Sequence, residues 1–174
     1  MKLALGSAQF GMHYGISNTS GIVPTEHIHQ ILECARCNNI NLIDTAIDYG
    51  DSESRLGALL DNRFRVVTKL PFCPEDTKDI LQWTFLQVEK SKKRLGVESL
   101  YGLLLHRPEQ LLGKLGSKLW NAMNEIKMQG HVKKIGISIY DPLELAAIVP
   151  KFSLDIVQSP FNVFDTRLHS SGWL

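Results

Sequence analysis

The sequence predicts an α/β fold of the (β/α)8 barrel type, on three observations. Short apolar segments alternate with longer amphipathic ones along the 174 residues. The turn after the first apolar segment, GSAQFG at residues 6–11, lacks the GxGxxG pattern of an open nucleotide-binding sheet. Each apolar segment ends near a polar residue, as expected where a barrel gathers the C-terminal ends of its strands on one face. These residues are Gln9, Asp44, Lys69, His106, Ser138 and Gln158.

The apolar segments predict six parallel strands, about two fewer than the eight of a TIM barrel. They cover residues 3–8, 40–45, 65–69, 101–106, 132–138 and 155–158. An open doubly wound sheet is the competing architecture, and the missing glycine-rich turn disfavours it. We therefore expect residues 1–174 to form one barrel domain that is incomplete, without strands seven and eight. Its first and sixth strands would then have open edges.

Helices are predicted between the strands, where apolar residues recur three and four positions apart. The first opens at Pro24-Thr25, and Asp51 is expected to cap the second. The third runs from about Thr77 to Gly96, with Leu81 on its inner face. The fourth has its apolar face at residues 111–126 and is expected to stop at Gly130, and the next opens at Asp141-Pro142. Residues 160–174 show no clear period.

Composition limits the partners of the chain. With 19 basic and 18 acidic residues, the net charge of +1 gives no reason to expect binding to nucleic acid. No segment has the roughly 20 apolar residues of a membrane span, so we expect a cytoplasmic protein without membrane contact. No metal site is expected, because Cys34 and Cys37 form a CxxC inside a predicted helix without a second pair.

Four residues at or beyond strand ends suit the reduction of a carbonyl group: Asp44, Tyr49, Lys69 and His106. Reduction by hydride requires a proton donor for the developing alkoxide, and a tyrosine hydroxyl can serve. A neighbouring lysine ammonium is expected to lower the pKa of that hydroxyl, and an aspartate would hold the lysine charged. A histidine can polarise the carbonyl oxygen.

The segments around these residues resemble the aldo-keto reductase family. Residues 44–57 (DTAIDYGDSESRLG) are similar to the family pattern DTAxxYGxSExxLG. Four further segments are similar to family segments in the same order along the chain. They are residues 66–69 (VVTK), 103–108 (LLLHRP), 130–138 (GHVKKIGIS) and 158–162 (QSPFN).

This resemblance implies an NADPH-dependent oxidoreductase that acts on an aldehyde, ketone or sugar carbonyl. Asp44, Tyr49, Lys69 and His106 would be catalytic, with Tyr49 as the general acid. Ser138 and Gln158 would hydrogen-bond the nicotinamide carboxamide, and Ser7, Gln9 and Asp44 would line the same mouth. The family usually has asparagine after the serine, whereas Ile139 follows Ser138 here.

Two other readings stay open from the sequence. The chain could be a catalytically inactive, truncated barrel that survives bound to a partner. It could also form homo-oligomers through its open sheet edges.

Overall fold

The computed structural model describes residues 3–174, so Met1 and Lys2 of the predicted domain lie outside the described residues. The strands are β1 (Leu5–Gly6), β2 (Leu42–Asp44), β3 (Arg65–Leu70), β4 (Leu100–Leu105), β5 (Val132–Ser138) and β6 (Ile156–Gln158). The helices are α1 (Ala8–Gly11), α2 (Thr25–Cys37), α3 (Ser52–Gly57), α4 (Ile80–Leu95), α5 (Gly116–Met128), α6 (Leu143–Ile148) and α7 (Arg167–Ser170). A 3-10 helix covers Pro108–Leu112. The described helices are each too short or too polar to cross a membrane.

The strands form one parallel sheet in the sequential order β1 to β6. A doubly wound sheet reverses its strand order at a switch point, so this order confirms the barrel type over the open alternative. The sheet curls into a half-barrel with the helices packed against it. Within residues 3–174, β1 and β6 each pair with a single neighbour, as expected for an incomplete barrel.

The first strand is much shorter than predicted. It ends at Gly6, and the chain turns at once into α1 instead of continuing to Ala8. Phe10 drives this turn, because its ring enters the core and is 3% exposed. The turn places Gln9 beyond the end of the strand, at the C-terminal face of the sheet.

The helix predicted from Leu111 to the stop at Gly130 is interrupted. The 3-10 helix ends at Leu112, and α5 begins only at Gly116. A Cβ atom at Gly116 would lie 1.9 Å from the carbonyl oxygen of Leu111, so the tight turn between the two helices requires glycine. The regular spacing of the leucines conceals this break.

Three details of the predicted helix ends were also wrong. Asp79 caps α4, its side chain accepting a hydrogen bond from the Gln82 amide, so the helix starts three residues later than expected. This start turns Ile80 inward and leaves Leu81 44% exposed. Asp51 precedes α3 without a capping hydrogen bond from its side chain. The helix predicted to open at Asp141-Pro142 begins one residue later, at Leu143, although Asp141 accepts a hydrogen bond from the Leu143 amide.

Glu53 joins three elements through a buried carboxylate. It accepts hydrogen bonds from Thr68 of β3 at 2.7 Å and from Ser91 of α4 at 2.6 Å. Arg94 donates to its other oxygen at 2.8 Å. This network holds α3, just beyond Tyr49, against the strand that carries Lys69.

Replacing Glu53 with glutamine should lower the free energy of unfolding by about 2 kcal/mol or more, because the amide cannot neutralise Arg94. Urea denaturation measures the change. Glu98→Gln is the matched control, since Glu98 is exposed. Equal stability of the two variants would contradict the role we assign to this network.

Candidate active site

The four residues predicted to be catalytic lie at one end of the sheet. Asp44 is the last residue of β2, Lys69 is the penultimate residue of β3, and His106 directly follows β4. Tyr49 lies in the loop between β2 and α3. Because the strands are parallel and adjacent, their C-terminal ends bring these side chains together.

The Lys69 ammonium contacts two of the other three residues. Its Nζ lies 2.8 Å and 2.9 Å from the two carboxylate oxygens of Asp44. It also donates to the carbonyl oxygen of Thr45 at 2.9 Å and lies 3.3 Å from the Tyr49 hydroxyl. Asp44 and the Thr45 carbonyl together fix the ammonium beneath the tyrosine.

Lys69 is buried, with 1% of its side chain exposed, whereas Asp44 is 22% exposed. Burial lowers the pKa of the Lys69 ammonium, and the charge and hydrogen bonds of Asp44 oppose that shift. A buried ammonium is tolerated in a protein only when it is paired. Asp44 is therefore needed to keep Lys69 charged.

The pKa of Tyr49 moves in the direction opposite to the one expected. Burial raises the pKa of the hydroxyl above its ordinary value, and the negative charge of Asp44 adds to the shift. The ammonium of Lys69 is already paired with Asp44, so its positive charge lowers the pKa of the Tyr49 hydroxyl less than an unpaired ammonium would. Tyr49 therefore keeps its proton at neutral pH, which is the form that a proton donor requires.

Two glycines determine where the Tyr49 loop lies. A Cβ atom at Gly11 would fall 2.0 Å from the carbonyl oxygen of Tyr49. Gly50 has φ +57°, and a Cβ atom there would lie 2.2 Å from the carbonyl oxygen of Gly11. The segment at α1 and the tyrosine loop thus pack backbone against backbone.

His106 meets Tyr49 through its ring, without a hydrogen bond. The ring centroids are 5.7 Å apart and the planes are nearly perpendicular, at 80°. Burial, followed by the positive charge of Lys69, lowers the pKa of His106, and the nearby carboxylate of Asp48 opposes this. The neutral imidazole is thus favoured at neutral pH.

These side chains border an open cleft of about 470 Å³, within the range of small-molecule sites. Of the predicted cofactor residues, Ser138 and Gln158 lie at its wall, where the serine hydroxyl donates to the glutamine carbonyl oxygen at 3.1 Å. Gln9 is also at the cleft, and its amide donates to the carbonyl oxygen of Tyr14 at 3.0 Å. Asp44 lines the same cleft.

Ser7 is placed differently from the other predicted cofactor residues. It borders the cleft but is fully buried, and both its carbonyl and hydroxyl oxygens lie 2.9 Å from the Ser52 hydroxyl. Its hydroxyl therefore ties β1 to the start of α3. Within residues 3–174, no cluster of three or more His, Cys, Asp or Glu side chains is arranged to hold a metal ion.

Four residues of this site were not predicted from the sequence. Tyr14 and Tyr140 line the cleft, the Thr45 carbonyl receives the lysine, and Asp48 approaches His106. Of these, only Thr45 and Asp48 lie within a segment that resembles a family pattern, residues 44–57. Their roles depend on contacts between residues far apart in the chain, which spacing alone does not show.

Comparison with known proteins places these features in a family. The model of the aldo/keto reductase family matches residues 2–174. An uncharacterized oxidoreductase of Schizosaccharomyces pombe is 26% identical, over 80% of this chain and 55% of that protein. A protein of Pseudomonas aeruginosa assigned to the aldo-keto reductases is 26% identical and superposes with a TM-score of 0.77, over 96% of this chain and 66% of that one.

A Bombyx mori aldo-keto reductase, solved in complex with NADP, shares the fold at 20% identity. Its TM-score is 0.69, over 96% of this chain and 57% of that one. This chain thus spans between about half and two thirds of the length of these relatives. Since the family pattern extends along almost every residue and the strands follow the same fold, the chain belongs to the aldo/keto reductase family.

Proposed function

We propose that this chain carries the reaction centre of an NADPH-dependent oxidoreductase that reduces an aldehyde, ketone or sugar carbonyl. The observation that carries the proposal is the contact of Lys69 with both Asp44 and the Tyr49 hydroxyl, beneath an open cleft. Family membership supports the same reaction class.

The residues of the cleft suit the nicotinamide end of the cofactor. Ser138 and Gln158 present a hydroxyl and an amide that can pair with a carboxamide, and Gln9 lies at the same cleft. The apolar side chain of Ile139, in the usual asparagine position, is 2% exposed and offers no such contact. NADPH, when bound, supplies the hydride that adds to the carbonyl carbon.

The protein residues would then supply the proton that the carbonyl oxygen takes up. Tyr49 holds its proton at neutral pH and lies at the cleft, so it can donate to the carbonyl oxygen as negative charge develops there. The phenolate left behind would be stabilised by the ammonium of Lys69, 3.3 Å away. The carbonyl becomes an alcohol, and Tyr49 recovers a proton from water.

The proposal is tested by mixing the chain with NADPH and a panel of aromatic aldehydes, aliphatic ketones and aldose sugars. We expect loss of the NADPH absorbance together with formation of the matching alcohol. Deuteride on the reduced nicotinamide should appear on the carbinol carbon. No turnover with any of the three classes, by a chain that binds NADPH, would contradict the proposed reaction.

Replacing Gln158 with alanine should weaken NADPH binding by about two- to tenfold, since one hydrogen bond contributes roughly 0.5–1.5 kcal/mol. The same range is expected for Ser138→Ala. Ser153→Ala is the control, because Ser153 lies outside the cleft. Fluorescence titration gives the three dissociation constants, and equal values would remove both residues from the proposed cofactor site.

The open edges favour a second candidate, in which the chain assembles with copies of itself. Each end strand lacks a partner on one side among the described residues. Val157 of β6 is 39% exposed and borders a second, largely apolar cleft of about 860 Å³. Light scattering distinguishes the cases: an oligomer that Val157→Lys dissociates would support self-assembly, and a stable monomer would count against it.

A further inference from the structure

The Nδ1 atom of His106 is buried and makes no hydrogen bond to residues 3–174. Buried ring nitrogens usually have a partner, so an unpaired one calls for an explanation. The carboxylate of Asp48 is close by, with one oxygen 3.5 Å from Nδ1. That distance is slightly too long for a hydrogen bond, although the half-exposed Asp48 side chain has room to move.

The other nitrogen of the ring, Nε2, is the one available to the cleft that His106 borders. What Nε2 can do depends on the proton at Nδ1. If Nδ1 carries the proton of a neutral ring, Nε2 accepts hydrogen bonds; in the imidazolium both nitrogens donate. A group that holds a proton at Nδ1 therefore controls the chemistry at the cleft.

We propose that Asp48 is a positioning residue for His106: its carboxylate accepts the Nδ1 proton, fixes the tautomer and favours the imidazolium. Asp48 is a neighbour of Tyr49 in sequence and reaches the histidine from the loop between β2 and α3. The loop that carries Tyr49 would thereby also orient His106, through Asp48.

Charged groups from several elements act on the ring. Lys69 of β3 and Arg107, the next residue, carry positive charges that disfavour the imidazolium. Tyr49 meets the ring in a T-shaped contact, and Asp44 neutralises much of the Lys69 charge. Of these groups, Asp48 is the one whose negative charge directly favours the protonated ring.

The catalytic consequence rests on the proposed function. In a carbonyl reductase, Nε2 of the neutral ring would accept a hydrogen bond at neutral pH. Only at lower pH would the Nε2 proton of the imidazolium donate to the carbonyl oxygen, and Asp48 would determine the pH of that change. The positioning role requires only that the Asp48 side chain rotates toward Nδ1. This contact can therefore be tested in the protein without cofactor or substrate.

The test is nitrogen-15 NMR of the histidine rings in the apo protein, with His106→Gln to assign the resonance. We expect the wild-type neutral ring to carry its proton on Nδ1. Asp48→Asn keeps an oxygen acceptor but loses the charge, so it should retain this tautomer and titrate at lower pH. Asp48→Ala should lose the tautomer preference as well.

Asp51→Asn is the matched control, because it removes the same charge from the same loop at an exposed position. It should leave the His106 titration nearly unchanged. If Asp48→Asn and Asp51→Asn give the same midpoint, or if Asp48→Ala retains the wild-type tautomer, the positioning role is overturned. Because these measurements require no turnover, a chain that fails to reduce carbonyls would leave this result intact and refute only the proposed function.

Discussion

Tyr49→Phe is expected to reduce carbonyl turnover by about 100- to 10,000-fold, the usual contribution of a general acid. The substitution removes one oxygen atom, which lies 3.3 Å from Lys69, and retains the ring that packs edge-on against His106. Cofactor binding should therefore stay within about twofold, since no proposed cofactor contact is lost. Steady-state kinetics with an activated aromatic aldehyde, together with an NADPH titration, measures both quantities.

Tyr14→Phe and Tyr140→Phe provide matched controls in the same cleft. Both side chains are exposed and border the site, and neither hydroxyl hydrogen-bonds to Lys69. We expect both variants to keep most of the turnover. Wild-type turnover in Tyr49→Phe, or an equal loss in all three variants, would mean that the proton donor is assigned wrongly.

The second large effect concerns the buried ion pair. Asp44→Ala should lower the free energy of unfolding by about 3–5 kcal/mol, because it leaves the ammonium of Lys69 without its counter-charge. Lys69→Met should cost less, since the carboxylate left behind is partly exposed. The double variant should be more stable than Asp44→Ala alone, because no unpaired ammonium remains.

The stability of Asp44→Ala should also depend on pH with a definite sign. Burial lowers the pKa of Lys69, and without Asp44 the opposing contribution disappears. Between this lowered pKa and the ordinary value of about 10.4, the unfolded chain binds more protons, so stability increases as pH increases. Urea denaturation at neutral and alkaline pH measures the slope, which should be steeper than in the wild type.

A flat pH dependence in Asp44→Ala would mean that Lys69 reaches water when its partner is removed. Additive single-variant losses would show that the two residues do not stabilise each other. Either result would contradict the structural role that we assign to the pair.

The sequence predicted the sheet well because each strand is short, apolar and bounded by a polar residue or a turn. β3 and β4 illustrate this, since both lie within one residue of the expected bounds. The sequential strand order is the one that the predicted barrel type requires, whereas a doubly wound sheet would reverse it.

The failures arise where packing overrides a local pattern. Leu111 and Leu115 keep a helical spacing, but the chain turns between Leu112 and Gly116, where only glycine fits against the Leu111 carbonyl. Phe10 ends β1 early because its ring is buried in the core. Both features depend on how the chain packs in three dimensions, which the local sequence pattern does not show.

In the site, too, some features could be predicted from the sequence and others depend on packing. Polar strand ends indicated which side chains gather at the cleft, and the structure brings Asp44, Lys69 and Tyr49 into contact. The direction of the pKa shift of Tyr49 could not be predicted, because it depends mainly on burial of the hydroxyl, to which the charge of Asp44 adds. The approach of Asp48 to His106 brings together residues distant in the sequence, so the spacing of residues along the chain could not predict it.

The most direct test of the account is a calorimetric titration of the purified chain with NADPH. We predict saturable binding of one NADPH per chain, weakened about two- to tenfold by Gln158→Ala. That result would show that the cleft beside Tyr49 and Ser138 accepts the cofactor. No binding up to about millimolar NADPH, equivalent to less than about 4 kcal/mol of binding free energy, would contradict a functional cofactor site in this chain.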